Sequence, residues 1–429
     1  MGFVLYNIFL LLYKSVLYML YPFNSKAARL LKGRKNLLDN IESAIPAGEK
    51  IIWFHAASLG EFEQGRPLLE KLKDLYPACK ILLTFFSPSG YEVQKNYARA
   101  DWVFYLPFDS PKNARRLLSV VQPALVVFIK YEYWYYYLKE IRSRGIPLLM
   151  VSAQFRKEMF FFQWYGGLPR KMLSFFDHLF VQNQASYKLL ENIGLGPVTT
   201  VSGDTRFDRV SEIAEKSGPV PLIEAFAGNH QTIVAGSTWP EDEAALKKAF
   251  EQIGAGKLKL IIAPHEISKK HLDDLRVLFP GSVLYSVLAG ADNNSRPEEM
   301  ADRPVLIIDN IGMLSRLYRH GWITYVGGGL KRAALHNVLE PAVYGKIVLF
   351  GPHYHKFSEA TGLVQAGGGI PVYDTEKNGK MLVELITMLL ENKDEFEQRS
   401  RGAGAFVRNN RGATQRILAY IQEKRLLTS

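Results

Sequence analysis

The sequence predicts an α/β protein of two doubly wound, Rossmann-like domains behind an apolar N-terminal helix. Three observations lead there. Short apolar runs alternate with amphipathic segments, the pattern of a parallel sheet covered by helices on both faces. The alternation halts around residue 210 and then restarts. The 429 residues are more than one hydrophobic core usually organises and suit two domains of ordinary size.

The first 23 residues, MGFVLYNIFLLLYKSVLYMLYPF, carry one charged side chain, Lys14. The run is long enough to span a bilayer with some tilt. Lys26, Arg29, Lys32, Arg34 and Lys35 follow at once, which keeps the next domain on the cytoplasmic side. No charged region precedes the run and no small-residue cleavage site ends it, which argues against a cleaved signal peptide. Lys14 with Tyr6, Tyr13, Tyr18 and Tyr21 also suits a helix lying in the membrane interface. Spanning and lying flat both stay open.

In the first domain, residues 24–210, strands are expected at 51–55, 81–86, 102–106, 125–129, 147–151 and 178–181, with helices at 67–76, 111–121 and 133–144. Leu68, Leu72 and Leu75 fall on one face of the first of these helices. The domain boundary is expected within 209–218. The second domain, residues 211–404, should place strands at 232–235, 258–263, 305–309, 323–326 and 346–350, with an exposed loop at 286–303. Residues 405–429 should form a last helix, over 405–424, that packs back on the first domain. Ligands of doubly wound sheets sit at the carboxyl ends of the strands, so a cleft between the two domains is the expected site.

Hydrophobic residues make up 48% and charged residues 22%, a globular composition. The net charge of +11 suits anionic partners, but the basic residues are spread along the chain and no RNA-binding or zinc-finger spacing occurs, so no nucleic-acid partner is expected. The lone Cys79 rules out an intrachain disulfide and fits a reducing compartment. The nine histidines form no ligand motif, and His353 and His355 read as a solvated loop; no metal and no cofactor are expected.

Three segments carry chemistry. In Phe54-His55-Ala56-Ala57-Ser58-Leu59-Gly60-Glu61 a strand enters a small-residue turn bearing a carboxylate. Glu61 is either a general base at a strand's carboxyl end or an acid that favours a helix N-terminus. In Gly203-Asp204-Thr205-Arg206-Phe207-Asp208, Arg206 either grips an anionic donor or pairs with Asp204 or Asp208. The third segment is Gly327-Gly328-Gly329, followed by His336-Asn337-Val338-Leu339-Glu340-Pro341. A glycine-rich strand end before a helix is a phosphate cradle, and Glu340 can accept hydrogen bonds from ribose hydroxyls; the alternative is a tight turn with a buried helix cap. Gly236-Ser237-Thr238-Trp239 and Ala263-Pro264-His265-Glu266 are smaller signals at strand ends.

Together HAASLGEFEQGRPLL, GDTRFD, AGSTWPEDE and VGGGL…HNVLEPAVYGKIVLFGPHYHKF resemble the Kdo transferases, which attach 3-deoxy-D-manno-octulosonic acid to the lipid A precursor. The resemblance covers nearly the whole chain and implies a GT-B fold, CMP-Kdo as donor and inversion at the anomeric carbon. It also implies work at the cytoplasmic face of a cell inner membrane, with a lipid A precursor and anionic inner-membrane lipids as partners. It places the catalytic base on Glu61, a transition-state cation on Arg206 where lysine is common, and CMP contacts on Asn337, Val338, Leu339 and Glu340. The family's ETExW stretch appears as Lys130-Tyr131-Glu132-Tyr133-Trp134, which leaves Glu132 a weaker catalytic candidate. PRHPE survives as Pro264-His265-Glu266 without its arginine, and MGE as Ile311-Gly312-Met313 without its acid. Kdo leaves CMP, a monophosphate, so the implied chemistry proceeds on helix N–H groups and Arg206 with no metal.

Overall fold

The computed structural model describes residues 2–427 apart from 255, 257, 291–299, 301–302, 331–334 and 374–378. It divides into two compact units, the first made of Met1–Asp208 and Arg411–Ser429, the second of Arg209–Asn410.

The first unit holds seven strands: β1 (Ile51–Ala56), β2 (Lys80–Phe85), β3 (Trp102–Tyr105), β4 (Leu125–Ile129), β5 (Leu148–Ala153), β6 (His178–Val181) and β7 (Thr199–Val201). All pair in parallel, in the order β3-β2-β1-β4-β5-β6-β7. Every residue of β1, β4 and β5 is buried. Helices cover both faces, so these strands read as unbroken apolar runs rather than alternating ones. The strand order reverses between β1 and β4, and at such a point the connections diverge and leave a crevice at the carboxyl ends. Helices α1 (Gly2–Leu20), α2 (Ser25–Lys32) and α3 (Leu37–Ala44) precede the sheet, and α4 (Leu59–Leu75) follows β1.

The second unit repeats the plan with β8 (Gln231–Thr238), β9 (Leu258–Pro264), β10 (Val283–Leu284), β11 (Val305–Ile307), β12 (Ile323–Val326), β13 (Ile347–Phe350) and β14 (Gly369–Pro371). The order is β10-β11-β9-β8-β12-β13-β14, again parallel, with its reversal between β8 and β12.

The expected strands are found to within a few residues. Three more, β7, β10 and β14, are only two or three residues long, too short to show a periodicity. Three expectations are corrected. The helix after β1 starts at Leu59 rather than 67, and Pro67 lies inside it. Its start is set by Ser58 in an extended conformation, and the turns before Pro67 are held by packing: Phe62 is fully buried and Gly65 lies against Ile129. The expected terminal helix over 405–424 is two helices, Lys393–Asn409 and Ala413–Glu423. Gly412, at φ +99°, makes the break, a conformation only glycine adopts without strain. Part of the expected loop at 286–303 is helical, Tyr285–Gly290; residues 291–299 and 301–302 lie outside the described residues.

Candidate active and nucleotide-binding sites

At the reversal of the first sheet, Glu61 occupies the third position of α4, with its Oε2 accepting the N–H of Ala57 at 2.7 Å. That bond is the helix-start role offered as the alternative reading. Burial pushes the Glu61 carboxyl up to about 7, helped by the nearby negative charge of Glu132 and opposed by the Ala57 N–H, Lys130 and the Ser58 N–H. A carboxyl poised near neutrality is what proton abstraction at working pH requires.

Glu132 follows β4 and is buried. Its Oε2 accepts the Trp134 indole N–H at 2.6 Å and lies 2.7 Å from His55 Nε2. His55 Nδ1 meets the Thr84 hydroxyl at 2.9 Å, and that hydroxyl accepts the Trp53 indole N–H at 2.8 Å. The chain Trp134–Glu132–His55–Thr84–Trp53 therefore anchors the second carboxylate from three adjacent strands. Lys130, at φ +67°, turns the chain sharply between β4 and Glu132, and non-glycine residues in this region mark places where surrounding structure sustains strain. Sequence reasoning assigned no role to His55 or Lys130. The available signal was His55 itself, a polar residue in the otherwise apolar strand Ile51–Ala56.

Arg206 realises the ion pair named as its alternative. Its Nη2 and Nε donate to Asp204 Oδ2 at 2.7 and 3.0 Å, a two-pronged pairing with a buried carboxylate. Asp208 instead accepts the N–H groups of Gly412 and Thr414 at 2.6 and 2.7 Å, and so caps the returning helix Ala413–Glu423.

In the second unit the glycine triplet corrects the phosphate-cradle expectation. Gly327, Gly328 and Gly329 are all buried. Gly327 N–H donates to Gly236 O at 3.0 Å and Gly328 N–H to the buried Asp242 Oδ2 at 3.1 Å. Two of the three donors are thus engaged within the protein, beside a carboxylate. A Cβ on Gly327 would strike Ser237 O and Asp242, and one on Gly351 would strike Gly329 and Leu330. The glycines are there so that the ends of β8, β12 and β13 can touch, with Asp242 bridging them through Trp239 N–H, Tyr325 O–H and Gly328 N–H. The part of this segment at 331–334 lies outside the described residues.

The helix expected to carry Asn337 and Glu340 is a single turn, Leu339–Ala342, and Asn337 precedes it. Asn337 Oδ1 accepts Leu339 N–H at 3.1 Å and its Nδ2 donates to Glu340 Oε1 at 3.2 Å, which presents the two polar side chains as a pair. Val338 and Leu339 are fully buried, so their side chains pack rather than contact a ligand. Pro264 is buried in β9, whereas His265 is exposed and lies between two rings, Trp239 at 4.4 Å and His336 at 4.6 Å between centroids. Burial and His265 lower the His336 pKa, which keeps that ring neutral. Ile311 is exposed, Gly312 takes φ +92° and Met313 is buried, so only the first two offer surface. Trp239, His336 and Asp242 lie in segments singled out above, where none of them was given a role of its own.

Residues 28–209 match the family model described as 3-deoxy-D-manno-octulosonic-acid transferase, or kdotransferase. That stretch carries a domain of the Kdo transferase type. The Aquifex aeolicus 3-deoxy-D-manno-octulosonic acid transferase is 29% identical over 357 residues, covering 82% of this chain and 89% of that one. The Rickettsia felis protein of the same description is 25% identical over 380 residues, covering 86% and 78%. Among solved structures, the UDP-GlcNAc 2-epimerase of Neisseria meningitidis superimposes with a TM-score of 0.58 at 15% identity, covering 87% of this chain and all of that one. At that identity the likeness shows the fold alone, two Rossmann-like domains of the GT-B class. As a Kdo transferase relative, the chain is a glycosyltransferase.

Proposed function

We propose that this chain transfers Kdo from CMP-Kdo to a lipid A precursor in lipopolysaccharide biosynthesis, with inversion. The observation that carries the reading is Glu61: within the segment that resembles the family's base motif, a half-buried carboxylate stands at the carboxyl end of β1 with its pKa raised to about 7. In the ionised form it takes the proton of the acceptor hydroxyl. The freed oxygen forms the new bond to the anomeric carbon of Kdo, and the bond to CMP breaks with its electron pair going to the phosphate. Burial and the charge of Glu132 raise the pKa of Glu61 and so strengthen it as a base. Arg206, fixed by Asp204, is read as a cation placed for the developing charge of the leaving group. Asn337 and Glu340 are read as the ribose-facing pair, with His265, Ile311 and Gly312 shaping the remaining donor surface over the buried Pro264 and Met313.

A monophosphate leaving group develops less charge than a diphosphate, so the reaction is read as independent of metal. The apolar α1 and the basic residues after it hold the enzyme to the cytoplasmic face of an inner membrane, where a phosphorylated lipid acceptor and anionic lipids lie. The direct test is incubation with CMP-Kdo and a lipid A precursor, followed by mass spectrometry of the lipid. A lipid heavier by one or more Kdo units is expected; an unchanged lipid, with calorimetry showing UDP bound more tightly than CMP, would move the chain to another donor.

A further inference from the structure

The apolar helix α1 has two unlike faces. One face of this helix is fixed to its own domain. Tyr6 O–H donates to the buried Asp109 Oδ2 at 2.6 Å, and Tyr136 O–H donates to Asn7 Oδ1 at 2.6 Å. Tyr13 lies against Phe86 at 6.0 Å between centroids, and Leu17 is buried with Ala27 and Leu30. The opposite face, Val4, Leu5, Ile8, Leu11, Leu12 and Met19, is exposed. A helix tied to protein by polar bonds near its start and by packing at Tyr13 and Leu17 is held against its domain; with its other face apolar, it suits the interface plane.

Where α1 meets α2 and α3 there is a cavity of about 540 Å³. Lys14, Lys32, Arg34 and Lys35 line it together with Tyr18 and Tyr21. The single charge of the apolar run, Lys14, is thus one wall of this cavity. Arg34 is held in place by Leu106 O and Phe86 O, each at 2.8 Å, and stands over the Phe86, Tyr105 and Phe108 rings. The wall also contains Asp39 and Arg116, which pair with each other at 2.5 Å, while Glu42 takes a second bond from Arg116. The balance at the cavity is therefore cationic, and its tyrosines suit headgroup depth.

We infer that this cavity holds the phosphate of an anionic membrane lipid while α1 lies along the bilayer surface. The inference rests on the membrane reading above and names its contact. The charges are complementary, and the cavity opens at the end of an exposed apolar face, where lipid phosphates stand.

The test is flotation of the full chain with vesicles of phosphatidylcholine, with and without phosphatidylglycerol. The unaltered protein should favour the anionic vesicles at least tenfold. Lys32→Ala with Lys35→Ala, both exposed, should weaken binding to the anionic vesicles about 20-fold and leave phosphatidylcholine binding unchanged, from roughly fivefold per lysine at an anionic surface. Lys14→Gln should repeat the direction if the double variant folds poorly. Leu11→Asp with Leu12→Asp should weaken binding to both vesicles. Equal binding of the unaltered protein to both vesicles would overturn the headgroup site and keep the membrane reading; flotation with neither would remove both. Release by inorganic phosphate but not by chloride of equal ionic strength would assign the cavity to free phosphate and overturn the lipid.

Discussion

Glu61 meets two demands that pull in opposite directions. As a base it must be ionised, yet burial and Glu132 raise its pKa to about 7 from an ordinary 4.5. The rate constant kcat/KM should therefore rise as pH climbs through about 7, and Glu61→Gln should lower turnover by ~10²–10⁴-fold. The same shift acts on stability. A carboxyl whose folded pKa is raised stabilises the fold fully below about 4.5 and loses that contribution as pH rises through 7. Glu61→Gln should thus melt higher than the parent at pH 8, by about 2–4 °C for each kcal/mol recovered, and match it near pH 4. Near-normal turnover at saturating donor and acceptor would remove Glu61 from the mechanism. Glu132→Gln keeps an acceptor for the Trp134 indole and deletes the charge, so the acid limb of the pH profile should move down; an unmoved limb would show that burial alone sets Glu61. In the second domain, Glu340→Ala should weaken CMP binding by ~1.5–3 kcal/mol, the usual loss for a charged hydrogen-bond partner. Unchanged affinity by calorimetry would place the nucleotide elsewhere.

The last helix, Ala413–Glu423, depends on one polar side chain. Asp208 joins the first unit's last helix to the rest of it by accepting two N–H groups at that helix's start. Asp208→Ala should cost about 1–2 kcal/mol, the range for losing a helix cap, and lower the melting temperature while kcat stays level. A large drop in kcat with an unchanged melting temperature would give Asp208 a catalytic part instead. The short helix Leu339–Ala342 behaves differently: it is too short to be stable alone and is held by buried Val338, Leu339 and Ala342. The pair proposed to face the donor, Asn337 and Glu340, is thereby set by packing rather than by helix propensity.

At the scale of the molecule, the two domains make separable contributions. Deleting residues 1–23 removes α1 and with it the Tyr6 bond to Asp109, a carboxyl that burial pushes up to about 6. The truncated protein should leave the membrane fraction and melt lower, because a buried carboxyl loses a donor. Its CMP affinity should be unchanged, since Asn337 and Glu340, proposed to hold the nucleotide, belong to the second unit. Retention of the truncated protein on membranes in high salt would contradict the anchoring role. Activity should also persist in excess EDTA; loss restored by magnesium or manganese would overturn the metal-independent reading.

The sequence by itself determined the fold class and most strands, and it marked the segments around Glu61, Arg206, Glu340 and His265 as candidates. It could do so because strands buried on both faces must be apolar throughout, and because a ligand at strand ends requires small residues and carboxylates at fixed points in the chain. What only the tertiary structure decided depends on groups distant in sequence. Glu132 adds, from 71 residues away, to the rise that burial causes in the Glu61 pKa, and its own place comes from His55 on β1. The glycine triplet looked like a cradle because sequence shows missing side chains, not where the freed N–H groups point; Asp242, 86 residues earlier, receives one of them. The break at Gly412 and the inner, tyrosine-bonded face of α1 were hidden for the same reason. Local pattern records which residues avoid water, while hydrogen-bond partners and pKa values follow from how the chain closes on itself.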